Sequence, residues 1–206
     1  MKERILMLRQ ILTLYAQRPI VEKHCRYALY HPSAEAFASI LTDIPYKIGN
    51  AITFNVTLYF LTNLRREPEA FFFFLLISFS LTLAMSMMFR TMASISRTIS
   101  QAMVPAVLLI LAIVIFTGFV LPVQYMRGWS RWINYIDPVA YAFEALMVNE
   151  FSGRDFPCSA YVPDGYPETI GLQNKICSVV GAQAGSTVVN GDAYIKSSFN
   201  YDRKWR

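Results

Sequence analysis

His24, Cys25 and His31 stand within eight residues of one another in "RPIVEKHCRYALYHPS", Arg18 to Ser33. These residue types can ligate zinc, which takes three or four such ligands in a tetrahedron. His24 and His31 are seven apart, two helical turns, and could share a face. However, Pro32 biases His31 away from helix, Cys25 would point elsewhere, and no fourth ligand is close. The chain has 2 histidines and 3 cysteines in all, too few for a histidine-box membrane enzyme. These residues therefore read as polar parts of a cytosolic loop helix, with no metal site and no catalytic residue expected. A small membrane-bound metalloenzyme is a weak reading for want of ligands.

Other reactive devices are missing from the sequence. There is no GxxxxGK[ST] loop and no GxGxxG after a strand. There is no GxSxG and no HExxH. These residues are not expected to form an enzyme, and ATP, if used, must be bound elsewhere.

The elements that would position any site are set by apolar blocks. The chain is 54% hydrophobic and 16% charged, with a formal charge of +5. Soluble domains run near about 45–50% apolar and about 25% charged. The excess sits in long runs, which points to a membrane protein with the lipid bilayer as its solvent. The positive charge flanks these runs instead of clustering on a polar domain, so no nucleic-acid partner is expected. "MKERILMLRQILTLYAQRP" is no signal peptide, because Arg4 and Arg9 interrupt any apolar core.

About 20 helical residues cross a hydrocarbon core of about 30 Å. Three runs qualify, at about 40–64, 70–89 and 100–120. In the first, Asp43 and Lys47 are four apart, can pair, and can reach the headgroups near its end. The second, "AFFFFLLISFSLTLAMSMMF", is uncharged and stops at Arg90. The third has Pro105 near its first turn and Pro122 beyond its end. Lys and Arg dominate before the first run and between the second and third, which places the N-terminus in the cytosol and the C-terminal part outside.

The expected fold is an all-α polytopic membrane protein. Residues 1–35 form a cytosolic N-terminal helix and loop, and residues 36–120 hold three transmembrane helices. Residues 121–151, with Trp129, Trp132, Tyr135 and Tyr141 suited to headgroups, form re-entrant or interfacial helices; a fourth crossing is the alternative. Residues 152–206 form an extracellular loop domain. Cys158 and Cys177 lie in it, 19 apart, in an oxidising compartment. A Cys158–Cys177 disulfide is the favoured reading over two buried thiols, worth about 3 kcal/mol by loop closure. The sequon Asn55-Val56-Thr57 falls inside the first span, so Asn55 is expected to bond a neighbouring helix instead of carrying a glycan. At the end of the third span, Gly118 permits close backbone approach, and Phe119 and Val120 could narrow a pore or merely face lipid.

Several segments together resemble the membrane domain of fungal pleiotropic-drug-resistance ABC transporters of the G subfamily. They are "RPIVEKHCRYALYHPSAEAFAS", the Phe-rich span, "QAMVPAVLLILAIVIFTGFVLP", "INYIDPVAYAFEALMVNEF" and "FPCSAYVP". The resemblance runs from about Leu12 to Arg206 and is to the first membrane half, family spans three to five with their extracellular loop. It implies that Arg18–Ser33 carries the coupling helix, with Glu22, Lys23 and Arg26 contacting the nucleotide-binding domain. Glu22 and Arg26 are also four apart, so a local pair competes. It implies that Val107 and Leu111 face an apolar small-molecule substrate and that Phe119 and Val120 form a plug.

The implied partners are the nucleotide-binding domain, which carries ATP and Mg, and a second membrane half. The implied function is the permease segment of a multidrug or lipid exporter, in the plasma membrane. By the same resemblance "MKERILMLRQ" stands where the family has its second span and "YDRKWR" where its sixth would begin, so the alternative is a truncated, non-transporting membrane fragment that is inert or binds a full-length transporter.

Overall fold

The computed structural model describes residues 2–162 and 176–201, with side chains from Ile11 onward. The side chains of the charged stretch "MKERILMLRQ", residues 163–175 of the expected loop domain and residues 202–206 lie outside the described residues. The chain divides into two compact units, Met1–Leu64 with Leu75–Ala112, and Arg65–Phe74 with Ile113–Arg206.

The long helices are α1 Lys2–Arg26, α2 Pro32–Leu61, α3 Pro68–Ile95 and α4 Ile99–Phe116. α1 ends where Ala28 takes a left-handed φ of 55° and its N–H bonds the Cys25 carbonyl at 3.0 Å. Three prolines, Pro19, Pro45 and Pro105, sit inside helices. Each removes one backbone bond; for Pro45 and Pro105, in helices read as spans, neighbouring helices can compensate at membrane depth. Among the described residues, α3 and α4 are long and apolar enough to cross a membrane. α2 has the length, 30 residues, but carries Lys47 and Asn55, both of which are buried.

The core of the first unit is Ile11 of α1, Phe89 and Ala93 of α3, and Ala102 and Ala106 of α4. The three alanines let the helices approach closely. Much of the apolar surface instead stays uncovered, including Val104, Val107, Leu108, Leu111 and Val114 of α4.

The observed helices differ from the expected spans at their ends. α2 starts at Pro32, because Pro is preorganised for the first helical position and His31 caps it. α3 runs on past Arg90 to Ile95, because Arg90 has partners on α2 and does not need to leave the helix. α4 stops at Phe116, short of the expected 120. There the Thr117 hydroxyl bonds the Ile113 carbonyl, Gly118 takes a φ of 100°, and the Asn134 side chain donates to the Phe116 carbonyl at 2.8 Å. Phe119 and Val120 are therefore on a turn, not on the helix.

In the second unit a 3-10 turn, Val123–Tyr125, leads to α5 Arg131–Ile136 and α6 Pro138–Phe151. The break between α5 and α6 is Asp137, extended and buried, whose carboxylate accepts the Val139 N–H at 2.8 Å as an N-cap. α6 has 14 residues. That is about 21 Å of helix, short of a membrane core of about 30 Å.

The segment after α6 forms two small antiparallel pairs. β1 Asp155–Pro157 pairs with β4 Val188–Asn190, and β2 Tyr161–Val162 with β3 Ile176–Cys177. These strands add to a fold that is otherwise helical. A disulfide joins Cys158 to Cys177 with Cα atoms 5.8 Å apart. α7, Gly191–Phe199, is capped by Asn190, which accepts the N–H groups of Asp192 and Ala193 at 3.0 and 3.3 Å. Val148, Ile195 and Tyr201 form the core here, with Phe143, Met147, Phe151, Tyr194 and Phe199 around them. Gly191 is required where α7 meets α6, because a Cβ there would collide with the Phe151 carbonyl oxygen.

Candidate functional site

The cluster met first in the sequence resolves into caps and turns. His31 Nδ1 accepts the Ser33 N–H at 3.3 Å and lies 2.8 Å from its hydroxyl, so this histidine closes the start of α2. His24 Nδ1 lies 3.0 Å from the Tyr30 hydroxyl across the turn. Cys25 is a free, half-buried thiol. No group of three metal-ligating side chains gathers among the described residues.

Glu22, Lys23 and Arg26 occupy the last two turns of α1 and are exposed. Glu22 and Arg26 pair with each other at 2.9 Å. Exposed pairs of this spacing are worth only about 0.3–0.5 kcal/mol, so both side chains remain open to a partner. Lys23, His24 and Arg26 also sit well at the negative end of the helix dipole. The expected coupling helix is thus the end of one 25-residue helix, not a separate element.

Sequence reasoning missed what this helix holds. The Tyr15 hydroxyl donates to the carbonyls of Ser96 and Thr98 at 3.0 and 3.1 Å, and Arg18 donates to Ser96 at 2.8 Å. Tyr15 and Arg18 thus tie α1 to the link between α3 and α4, and Arg18 lies just past the C-terminus of α3, where a cation is favoured. Their three-residue spacing on α1 was visible in the sequence, but their partners 78 to 83 residues away were not.

Val107 and Leu111 are four apart and exposed on α4, on the same uncovered stripe as Val104, Leu108 and Val114. They belong to the first unit, and Phe119 and Val120 to the second. Phe119 and Val120 are also exposed. The Phe119 ring meets the edge of Phe143 at 5.8 Å. Phe143 in turn meets Phe199 at 5.8 Å and Tyr201 at 6.4 Å, and Phe199 stacks on Tyr201 at 5.6 Å. A side chain at Gly118 would come within 3.0 Å of the Tyr201 hydroxyl. Burial, with Glu144 nearby adding negative charge, pushes the Tyr201 hydroxyl up to about 12. Trp129, Trp132, Tyr135 and Tyr141 are exposed, as headgroup anchors must be. Phe143 faces the aromatic core instead, which no spacing in the sequence separated from the anchors.

Long helices with bare apolar surface define an integral membrane domain, and comparison with known families says which. The family model described as ABC-2 type transporter matches residues 5–151, and the one described as CDR ABC transporter matches residues 162–206. The chain belongs to the ABC-2 type transporter family. It is 67% identical over 203 residues to "ZEB2-regulated ABC transporter 1" of Gibberella zeae, covering 96% of this chain and 14% of that protein. It is 63% identical to "ABC multidrug transporter C" of Aspergillus fumigatus, over 96% of this chain and 14% of the relative. For "ABC multidrug transporter AFR2" of Cryptococcus neoformans var. grubii the figures are 61%, 96% and 13%. The chain therefore spans 13–14% of the length of these curated relatives.

Proposed function

We propose that this chain is the permease segment of an ATP-driven exporter of apolar small molecules or lipids, from the first membrane half. The observation that carries this reading is the pair of family matches, which together take in nearly the whole chain. The geometry supports it: α1 ends in an exposed charged surface and bonds, through Tyr15 and Arg18, to the segment between α3 and α4. A push on Glu22, Lys23 and Arg26 by a nucleotide-binding domain would reach that segment directly. ATP and Mg are held by that domain, and a second membrane half completes the path. Val107 and Leu111 face the substrate, and Phe119 and Val120 close the outer exit, held by Phe143. The N-terminus lies in the cytosol, α2, α3 and α4 cross the plasma membrane, and the domain after α6 lies outside.

Co-expression with a transporter that lacks its own first membrane half tests this. Restored ATP-dependent efflux of a fluorescent drug is the expected result. Membrane insertion without efflux would instead mark a non-transporting fragment.

A further inference from the structure

The charged and polar residues of α2 meet those of α3 in a regular pattern. Asp43 pairs with Arg90 of α3, which also donates to the Ser39 hydroxyl at 3.1 Å. Lys47, buried, donates to Ser86 at 2.7 Å. Asn55, also buried, accepts from Ser78 at 2.9 Å. Partner numbers run in opposite directions: 43 with 90, 47 with 86, 55 with 78. Each step of four along α2 is matched by a step of four back along α3, and the step of eight likewise. These are rungs of a ladder between antiparallel helices.

We infer that this ladder locks α2 and α3 into one lever, and that Asp43, Lys47 and Arg90 are positioning residues that carry motion of the α1–α2 turn into the membrane. The inference rests on the transport reading above. Lys47 is buried and Arg90 nearly so, and ionisable groups shielded in this way are costly to part from their partners, so they hold a register strongly. A slip of α2 along α3 by one residue, about 1.5 Å, moves every rung off its partner at once. A full-turn slip of about 5.4 Å takes Asp43 away from Arg90 and Lys47 away from Ser86.

α4 meets α3 differently. That contact is made by Phe89, Ala93, Ala102 and Ala106, with Met92, Met103 and other apolar side chains around them, and among the described residues no directional side-chain bond joins the two helices there. The ladder begins at Ser39, two turns into α2 from the His31 cap, so the turn and the lever are continuous. Movement in this unit is then a shear of α4 on a rigid α2–α3 pair, a recognised way for packed helices to move.

The test uses the full-length transporter that contains this segment, assayed for drug efflux and ATP hydrolysis in membrane vesicles. Asn55→Cys with Ser78→Cys, oxidised to a cross-link, should keep efflux within about twofold of the unlinked form, because a lever loses nothing by being tied to itself. Asp43→Arg and Arg90→Asp should each lower efflux by about tenfold while ATP hydrolysis persists, as each sets like charges against each other across this half-buried rung. The double exchange should restore efflux, including in the case where the single variants fail to reach the membrane. A cross-link that stops efflux, reversed by a reductant that leaves the wild type active, overturns the lever. So does a double exchange no better than the singles. A wild-type transporter that moves no drug sinks the transport reading and the lever with it; a moving wild type with a dead cross-linked form sinks the lever alone.

Discussion

In the first unit Lys47, Asn55 and Arg90 bond side chains of the neighbouring helix, whereas in the second Asn134, Asp137 and Asn190 bond backbone groups at helix ends. The first unit leaves a stripe of α4 bare, while the second gathers Phe143, Phe151, Tyr194, Phe199 and Tyr201 into a packed cluster. The difference is what the proposed topology calls for. In lipid, apolar exposure costs nothing and helices are held by close approach and by polar pairs. In water, apolar burial supplies the driving force, and short elements need caps and a cross-link.

The largest expected effect lies in the second unit. Replacing Cys158 and Cys177 together by serine should destabilise it by about 3 kcal/mol. Hydrogen exchange should show the loss over α6 and α7 with the helices of the first unit unchanged; an equal loss in both would break the contrast. Tyr201 provides the next test. Its hydroxyl rises from 10.0 to about 12 on folding. A raised acid contributes stability in full below pH 10 and loses it as the pH climbs from 10 through 12. Unfolding of the second unit followed against pH should show that step, and Tyr201→Phe should abolish it.

Smaller effects belong to the first unit. Ser78→Ala leaves the buried Asn55 oxygen without its donor and should cost about 0.6 kcal/mol, up to about 1.7, measured by unfolding in bicelles. The same measurement in high salt should give the same value, because this bond is out of water. Glu22→Ala should cost at most about 0.5 kcal/mol, and that cost should vanish with salt, since the pair with Arg26 is exposed. Metal analysis of the purified chain should find no stoichiometric zinc; one equivalent would overturn the roles of His24 and His31 as local hydrogen-bonding groups.

Much of this organisation was legible residue by residue. "AFFFFLLISFSLTLAMSMMF" reads as a membrane helix, because its twenty residues carry no charge, no Pro and no Gly. Pro32 biased His31 away from helix, and His31 is indeed extended, although the first span was expected only from about residue 40. Cys158 and Cys177 were the two cysteines of one segment, so the expected pairing had little competition. Each of these rests on local geometry or on solvent, which a linear reading captures.

What tertiary structure decided is which partner each side chain takes when several are within reach. Asp43 and Lys47 pair at 4.0 Å, as their spacing allowed, but Asp43 also takes Arg90 of α3, and Lys47, buried, also donates to Ser86. The i,i+4 rule fixes that two groups share a face, but a second helix in register offers better partners. Likewise α4 was expected to reach residue 120, and it ends at Phe116 because Asn134, eighteen residues on, caps its last carbonyl. The sequence by itself determined the apolar helices, the side chains that could pair and the family to which they belong. The register between α2 and α3, and so the ladder, was decided only when the chain packed, because a rung depends on two helices at once.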